Sequence, residues 1–426
     1  MREGFRKVAT VARYTLRILV GLSIVIAIWS CSNIPGVKDE SVTPIIRVPF
    51  VRVLLADDQD KMVIDADGAV AVECLDKGQQ TVYYSAQDVL ISIHGDRLLV
   101  ENNRGDLIQD FVDEVNFLPR GSSSHVRVNH KLYRGIIKAI PYGRNVRLIN
   151  IVYMEDYLRG VVPPEIGPRE ESEVEAIKAQ AVAARTYAIG HLQQYPNEPY
   201  DMKSTVVDQL YEGINVENRL VDRAIEETAG EVAMFHDDFI NAYYHSTCGG
   251  TTDDIAQVWD KPAQSYLIPV SDSNACSWSK YFKWQEQFTE QQLRGRLEQY
   301  LSSDRGHQIR LDKITRVNVR HRTAGGRVAE LEVVTETDNY LFKKDRIRWA
   351  IGRSSNPDLI LASDRFDVDI SRGAQDQIET ITFNGSGYGH GVGMCQCGAI
   401  GLSRVGRTHD QILKHYYTGI DLKKLY

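Results

Sequence analysis

Between residues 46 and 153, short apolar runs alternate with polar positions and stop at Gly, Asp, Asn or Ser: IIRVPFVRVLL, GAVAVECL, DVLISIHGDRLLV, HVRVNHKLYRGIIKAI and NVRLINIVYM. That period and punctuation predict a β-rich, antiparallel N-terminal part. The period then changes. In ESEVEAIKAQAVAARTYAIGHL, Val174, Ile177, Ala181, Ala184 and Ala188 fall three and four apart, which predicts a helix with one alanine-rich face, opened by a Ser172/Glu175 capping box. A second helix is predicted over ENRLVDRAIEETAG, stopping at Gly230, and a hairpin over EVAMFHDDFINAYYHST, turning at Asp237 and Asp238. Residues 281–375 hold a further helix, TEQQLRGRLEQYL, capped by Thr289 and Gln292, and then the strand patterns ITRVNVRHR and VAELEVVTE. A glycine-rich stretch, GSGYGHGVGMCQCGAIG, and a helix, THDQILKHYYTG, close the chain. Strands and helices segregate, so the fold class is α+β. The expected parts are a β-rich N-terminal lobe (46–153), a mixed α/β core (154–280 and 376–426) and an inserted second α/β lobe (281–375).

The N-terminus has a different pattern. Arg2, Arg6, Lys7, Arg13 and Arg17, offset by Glu3, precede the apolar run ILVGLSIVIAIW, which ends at Ser30 and Cys31. The run is shorter than the ~20 residues of a comfortable membrane span and has the layout of an export signal. An uncleaved signal anchor is one alternative; a lipoprotein signal with Cys31 lipidated is another, although Trp29 departs from the small residue usual before Ser30. Residues 32–45 read as a tether. In each case the N-terminal segment is the membrane contact, and the globular part is expected in the cell envelope, outside the cytoplasmic membrane.

Composition adds exclusions. The 426 residues are 43% hydrophobic and 25% charged, without low-complexity tracts or repeats, as in an ordinary globular protein of two or three domains or of one large domain with an inserted lobe. Net charge is −7 and the cations are scattered, so nucleic acid is not an expected partner. Export permits disulfides, and five cysteines remain besides Cys31: Cys74, Cys248, Cys276, Cys395 and Cys397. An odd number leaves at least one unpaired.

Three clusters could carry chemistry. In YLRGVVPPEIGP, Glu165 follows two prolines and is expected on a stiff, non-helical turn among apolar neighbours, where burial would raise its pKa and suit it to donate a proton. The plainer reading is a solvated glutamate near a helix N-terminus. In YYHSTCGGTTDDIAQVW, His245 and Cys248 could join the distant Cys276 and Cys395 in a tetrahedral zinc site, or Cys248 and Cys276 could form a disulfide. In the terminal stretch, glycines alternate around Tyr388 and His390; they match neither a dinucleotide fingerprint nor a phosphate loop, so no organic cofactor is expected. They allow either the close approach of a ligand or a tight crossing of strands, with His390 a satisfied core residue.

Together, EDYLRGVVPPEIG, EAIKAQAVAARTYA, HSTCGGTT with VW after it, and GYGHGVGMCQCGA with ILKHYYTG after it resemble the stage II sporulation protein D family, which includes amidase enhancers. The resemblance runs in order from about residue 46 to 426. It implies a lytic transglycosylase acting on peptidoglycan glycan strands, preferably strands stripped of stem peptides by an amidase, with Glu165 as its acid. Such an enzyme protonates the oxygen leaving N-acetylmuramic acid, and the resulting carboxylate takes the proton of the muramic C6 hydroxyl, which closes a 1,6-anhydro ring. One carboxyl group suffices, so the carboxylate pair of ordinary glycosidases, ~5–9.5 Å apart, is not required.

The resemblance further implies a glycan groove with GSGYGHGVGM as a low wall, Tyr388 and His390 pointing into it and Gln396 beside them. Arg185 is implied as partner of the muramic lactyl carboxylate, or else as a structural partner of Glu165 or Asp156. A structural zinc held by His245, Cys248, Cys276 and Cys395 stands beside the disulfide reading. The reading from another class is a non-catalytic, peptidoglycan-binding activator of an N-acetylmuramoyl-L-alanine amidase.

Overall fold

The structure is a computed structural model that describes residues 48–85, 88–121, 124–356 and 358–426. The export segment, Cys31 and the tether lie outside the described residues. Among the described residues, no helix is long and apolar enough to cross a membrane.

Two sheets form the N-terminal part. In the larger, the order is Met202–Lys203, Phe50–Gln59, Asn145–Tyr153, Ile136–Tyr142, Glu114–Pro119, Val70–Asp76 and Gln79–Ser85. All neighbours are antiparallel except the first pair. The second sheet has six strands from residues 61–133. Inner faces such as Val51, Val53, Ile91, Val100, Val115 and Phe117 are completely buried, as alternation requires of sheets that share a core. Asn145–Tyr153 is an exception, buried on both faces along most of its length. Its one buried amide is satisfied: Asn150 donates to the Arg134 and Ile136 carbonyls and accepts from the Tyr211 hydroxyl at 2.7 Å.

That strand leads directly into α1 (Met154–Ile166), which packs against α2 (Val174–Gly190). α2 is not the one-faced helix that the alanine spacing predicts. Alanines 176, 179, 181, 183, 184 and 188 are all fully buried, because α1, Arg219–Glu227, Gln396–Arg404, His409–Tyr416 and the strand Glu231–Phe235 surround the helix. Small side chains on every face let five elements approach one axis. The predicted Ser172/Glu175 box does not form either. The capping box belongs to Glu170 and Glu173, since Glu175 is drawn to Lys178 and to His409.

Residues from Trp284 to Gly385 build a second hydrophobic cluster around Phe288, Leu297, Leu331, Ile381 and Phe383. Its helix Glu290–Arg305 carries the Thr289/Gln292 capping box. The strand Trp284–Thr289 pairs with Ile378–Gly385, which pairs with Phe366–Arg372. This cluster therefore reaches past residue 375, up to the start of the glycine-rich stretch.

Candidate functional site

Glu165 does not sit on a non-helical turn. α1 continues through Pro163 and Pro164 and presents Glu165 on its last turn, before Gly167 at φ +71°. Pro164 removes the N–H that Gly160 O would accept, and the Glu212 N–H fills that place at 3.0 Å. Such contact requires Gly160, where a Cβ would lie 2.5 Å from the Tyr211 ring.

The Glu165 carboxylate accepts two long hydrogen bonds, from the Leu210 N–H at 3.4 Å and from Gln396 Nε2 at 3.5 Å. Among the described residues no cation lies within salt-bridge distance. Burial raises its pKa above the ordinary 4.5, and those two bonds only partly oppose the shift. Gln396 also donates to Gln180 Oε1 at 3.4 Å, from the centre of α2. The Gln180 Nε2 is buried without a partner. Tyr244, whose hydroxyl accepts from Gln209 at 3.0 Å, is held well above the ordinary phenol range by burial and then by Glu165.

Glu165 opens into a cleft of about 620 Å³. The fold brings Tyr388, His390 and Gln396 to the same cleft, with Tyr244, Trp259 and Lys261. Tyr187, His191, Tyr195 and Asp208 line it as well, beside Val206 and Val207, which are 83% and 65% exposed. Sequence reasoning missed these residues, since a lone aromatic, lysine or aspartate carries no local signal of a shared cleft. Asp208 is a second carboxylate in the cleft, held by Gln194, the Tyr195 hydroxyl and the Lys203 N–H. Lys261 donates to the Tyr243 hydroxyl at 2.7 Å, lies over the Trp259 ring, and has no acidic partner among the described residues.

His390 is fixed as a neutral imidazole: Nε2 donates to Tyr244 O at 3.0 Å and Nδ1 accepts the Val392 N–H at 3.1 Å. Burial holds its pKa down at about 3. With both nitrogens engaged, it positions the Tyr244 backbone and offers Trp259 a ring face at 4.7 Å.

Arg185 does not reach the cleft. It is completely buried and bidentate with Glu155, at 2.9 and 2.7 Å, and also donates to Glu231 O. Its partner is therefore neither a sugar acid nor Glu165 nor Asp156, and the long arm ties α2 to the start of α1.

The glycines serve packing more than access. A Cβ on Gly393, at φ +71°, would lie 2.0 Å from Tyr243 O, and one on Gly391, at φ +83°, would lie 2.1 Å from Arg327 Nε. The stretch is stitched to HSTCGG through Tyr388 N–H to Thr247 O (2.7 Å) and Thr247 N–H to Tyr388 O (3.0 Å). The short strands Tyr244–His245 and Met394–Cys395 pair in parallel beside it.

The metal-binding candidates assemble with one substitution. Ligand atoms of Cys248, Asp272, Cys276 and Cys395 all lie within 4.8 Å of one another, in complete burial. His245 is not among them, because its Nδ1 donates to Val392 O at 3.2 Å and its ring faces His390 and the cleft. Its Nε2 is buried without a partner. The five described cysteines are free thiols, with Cys248 Sγ 3.6 Å from Cys276 Sγ. The donor set fits a structural zinc. Three sulfurs and a carboxylate converge in a buried site, and backbone N–H groups already point at the sulfurs: Gly250 to Cys248 (3.3 Å), Cys248 and Gly398 to Cys395 (3.1 and 3.2 Å). Cys397 lies outside the set.

Comparison with known proteins bears on this region. The family described as Stage II sporulation protein matches residues 142–235, which span α1, Glu165 and α2. A domain of unknown function, DUF8618, matches residues 274–393. An uncharacterized protein of Brachyspira hyodysenteriae is 28% identical over 345 residues, covering 80% of this chain and 86% of its own. Stage II sporulation protein D of Bacillus subtilis is 28% identical over 291 residues (64% of this chain, 74% of its own), and the amidase enhancer of the same organism is 27% identical over 301 (62% and 40%). The residues that build the Glu165 helix and its packing partner are thus the ones matched by the Stage II sporulation protein family, to which the chain is similar over that region.

Proposed function

We propose that the protein is a peptidoglycan lytic transglycosylase of the cell envelope, with Glu165 as its single general acid and base. One observation carries the reading: a carboxyl group with a raised pKa and, among the described residues, no cationic partner opens into a polar, aromatic-lined cleft. A protonated Glu165 gives its proton to the oxygen that leaves the muramic C1. The carboxylate then removes the proton of the muramic C6 hydroxyl, whose oxygen closes the 1,6-anhydro ring. One C–O bond breaks, one forms, and the proton is returned. Gln396, bonded to both Glu165 and Gln180, keeps the carboxyl aimed through this change of charge.

With Arg185 buried, Lys261 takes the role of the cation for a lactyl carboxylate freed by amidase action. Lys261→Ala is expected to raise KM on peptide-free strands about ten-fold, the scale of one charge-assisted hydrogen bond, with kcat little changed. Steady-state kinetics checks this; a fall in kcat alone would remove Lys261 from substrate binding. The name of the amidase enhancer relative supports an amidase working on the same strands, and the N-terminal segment supplies the membrane contact in this reading.

Cys248, Asp272, Cys276 and Cys395 would hold a structural zinc, which would clamp the HSTCGG segment to the helix Gln396–Arg404. Purified protein is expected to contain about one zinc per chain, and Asp272→Ala to lose most of it while chelation lowers the melting temperature. Metal-free protein with Cys248 and Cys276 joined as a disulfide would refute the site.

A further inference from the structure

A second concavity, of about 650 Å³, adjoins the cleft, and Trp259 lines both. Its other walls come mainly from the second hydrophobic cluster, in the region that the domain of unknown function DUF8618 matches. The junction is tied: Lys344 Nζ donates to Trp259 O at 3.0 Å and pairs with Asp260 at 2.8 Å, while the Asp345 N–H donates to Val258 O at 3.2 Å. The Trp259 backbone is thereby fixed by the second cluster while its ring faces His390 and Lys261 in the cleft.

The groove offers the half-buried rings of Tyr300 and Tyr340, the exposed Asn339 amide, and two exposed guanidinium groups. Arg305 has no acidic partner among the described residues, and Arg346, whose side chain is 68% exposed, meets only Asp260 at 4.0 Å. Ring faces interleaved with planar hydrogen-bonding groups suit a saccharide. An unpaired guanidinium and a second that is only loosely held suit carboxylates. A peptide-free glycan strand presents both: hydroxyl and acetamide groups throughout, and one free lactyl carboxylate on each muramic residue.

We propose that this groove is a further glycan subsite, which takes the units of the same strand that continue past Trp259, with Arg305 and Arg346 meeting their lactyl carboxylates. The inference rests on the reading of the cleft as a glycan site. It makes the second cluster a strand-length sensor, so long peptide-free strands bind more tightly than those that fill the cleft alone.

The test uses the full chain carrying Glu165→Gln, so that strands stay uncut, titrated calorimetrically with peptide-free GlcNAc–MurNAc oligomers of increasing length. Affinity is expected to rise with length by about ten-fold or more, and the added substitutions Arg305→Glu and Arg346→Glu to erase that gain. Arg346→Lys should keep part of it. Oligomers whose lactyl groups are amidated should lose the gain as the charge-reversed protein does. If long and short oligomers bind equally, or if charge reversal leaves the gain intact, the groove proposal is overturned and the cleft stands. If no oligomer binds at all, the cleft reading fails and the groove with it.

Discussion

Glu165→Gln is expected to abolish cleavage of peptide-free glycan strands, by at least the ~10²–10⁴-fold that a positioned general acid and base supplies, without loss of folding or strand binding. Gln keeps the shape and can still face the Leu210 N–H, but has no proton to give and no charge to take one. The pH dependence follows from burial. The active acid is the protonated form, so the rate should hold at low pH and fall as pH rises through a folded pKa above 4.5. Stability moves the same way: a raised folded pKa contributes stability that is complete below the unfolded value and lost as pH rises through the folded one. At neutral pH the Gln variant should therefore melt no lower than the parent. Full activity in Glu165→Gln would sink the assignment. A parent that cuts nothing yet speeds an added amidase would support the activator reading.

Arg327→Ala should be among the most damaging substitutions away from the acid, at about 3–5 kcal/mol, the cost of stranding a buried charge. Arg327 and Asp364 are both essentially unexposed and paired at 2.5 Å. The guanidinium also donates to Gly389 O and Cys248 O, at 3.2 and 3.3 Å. One side chain of the second cluster thus holds the glycine-rich stretch and the HSTCGG segment together. Alanine leaves Asp364 buried without a partner and frees two carbonyls. Urea unfolding would measure the loss, and the double variant Arg327→Met/Asp364→Leu should recover part of it, since neither charge is then orphaned. A single variant within about 0.5 kcal/mol of the parent, the range of ordinary surface changes, would contradict this role.

What could be read from the chain was whatever repeats locally. The alternation in residues 46–153 marks strands, and the Thr289/Gln292 box marks a helix start, because both depend on neighbours a few positions apart. The turn expected at Pro163–Pro164 became helix because Glu212, far along the chain, supplies the missing donor. An arginine on an alanine helix looks free for a sugar or for Glu165 or Asp156 until Glu155 is seen opposite it. The candidate metal set expects His245 where the structure brings Asp272 to the three sulfurs, since an aspartate in VSDSNAC looks like any loop residue until the thiols converge on it. The glycines suggest a low wall or a tight crossing, and their small size is required by the Tyr243 carbonyl, 150 residues before Gly393, and by Arg327, 64 residues before Gly391.

The most direct measurement is the chemistry of the new chain ends. Purified glycan strands, intact and amidase-treated, would be incubated with the protein and with Glu165→Gln, and the products weighed by mass spectrometry. The predicted result is 1,6-anhydro-muramic ends, one water lighter than reducing ends, more abundant on treated strands and absent with the variant. Ordinary reducing ends would contradict it, because they require an attacking water and would turn attention to Asp208 as the second carboxylate of a hydrolase.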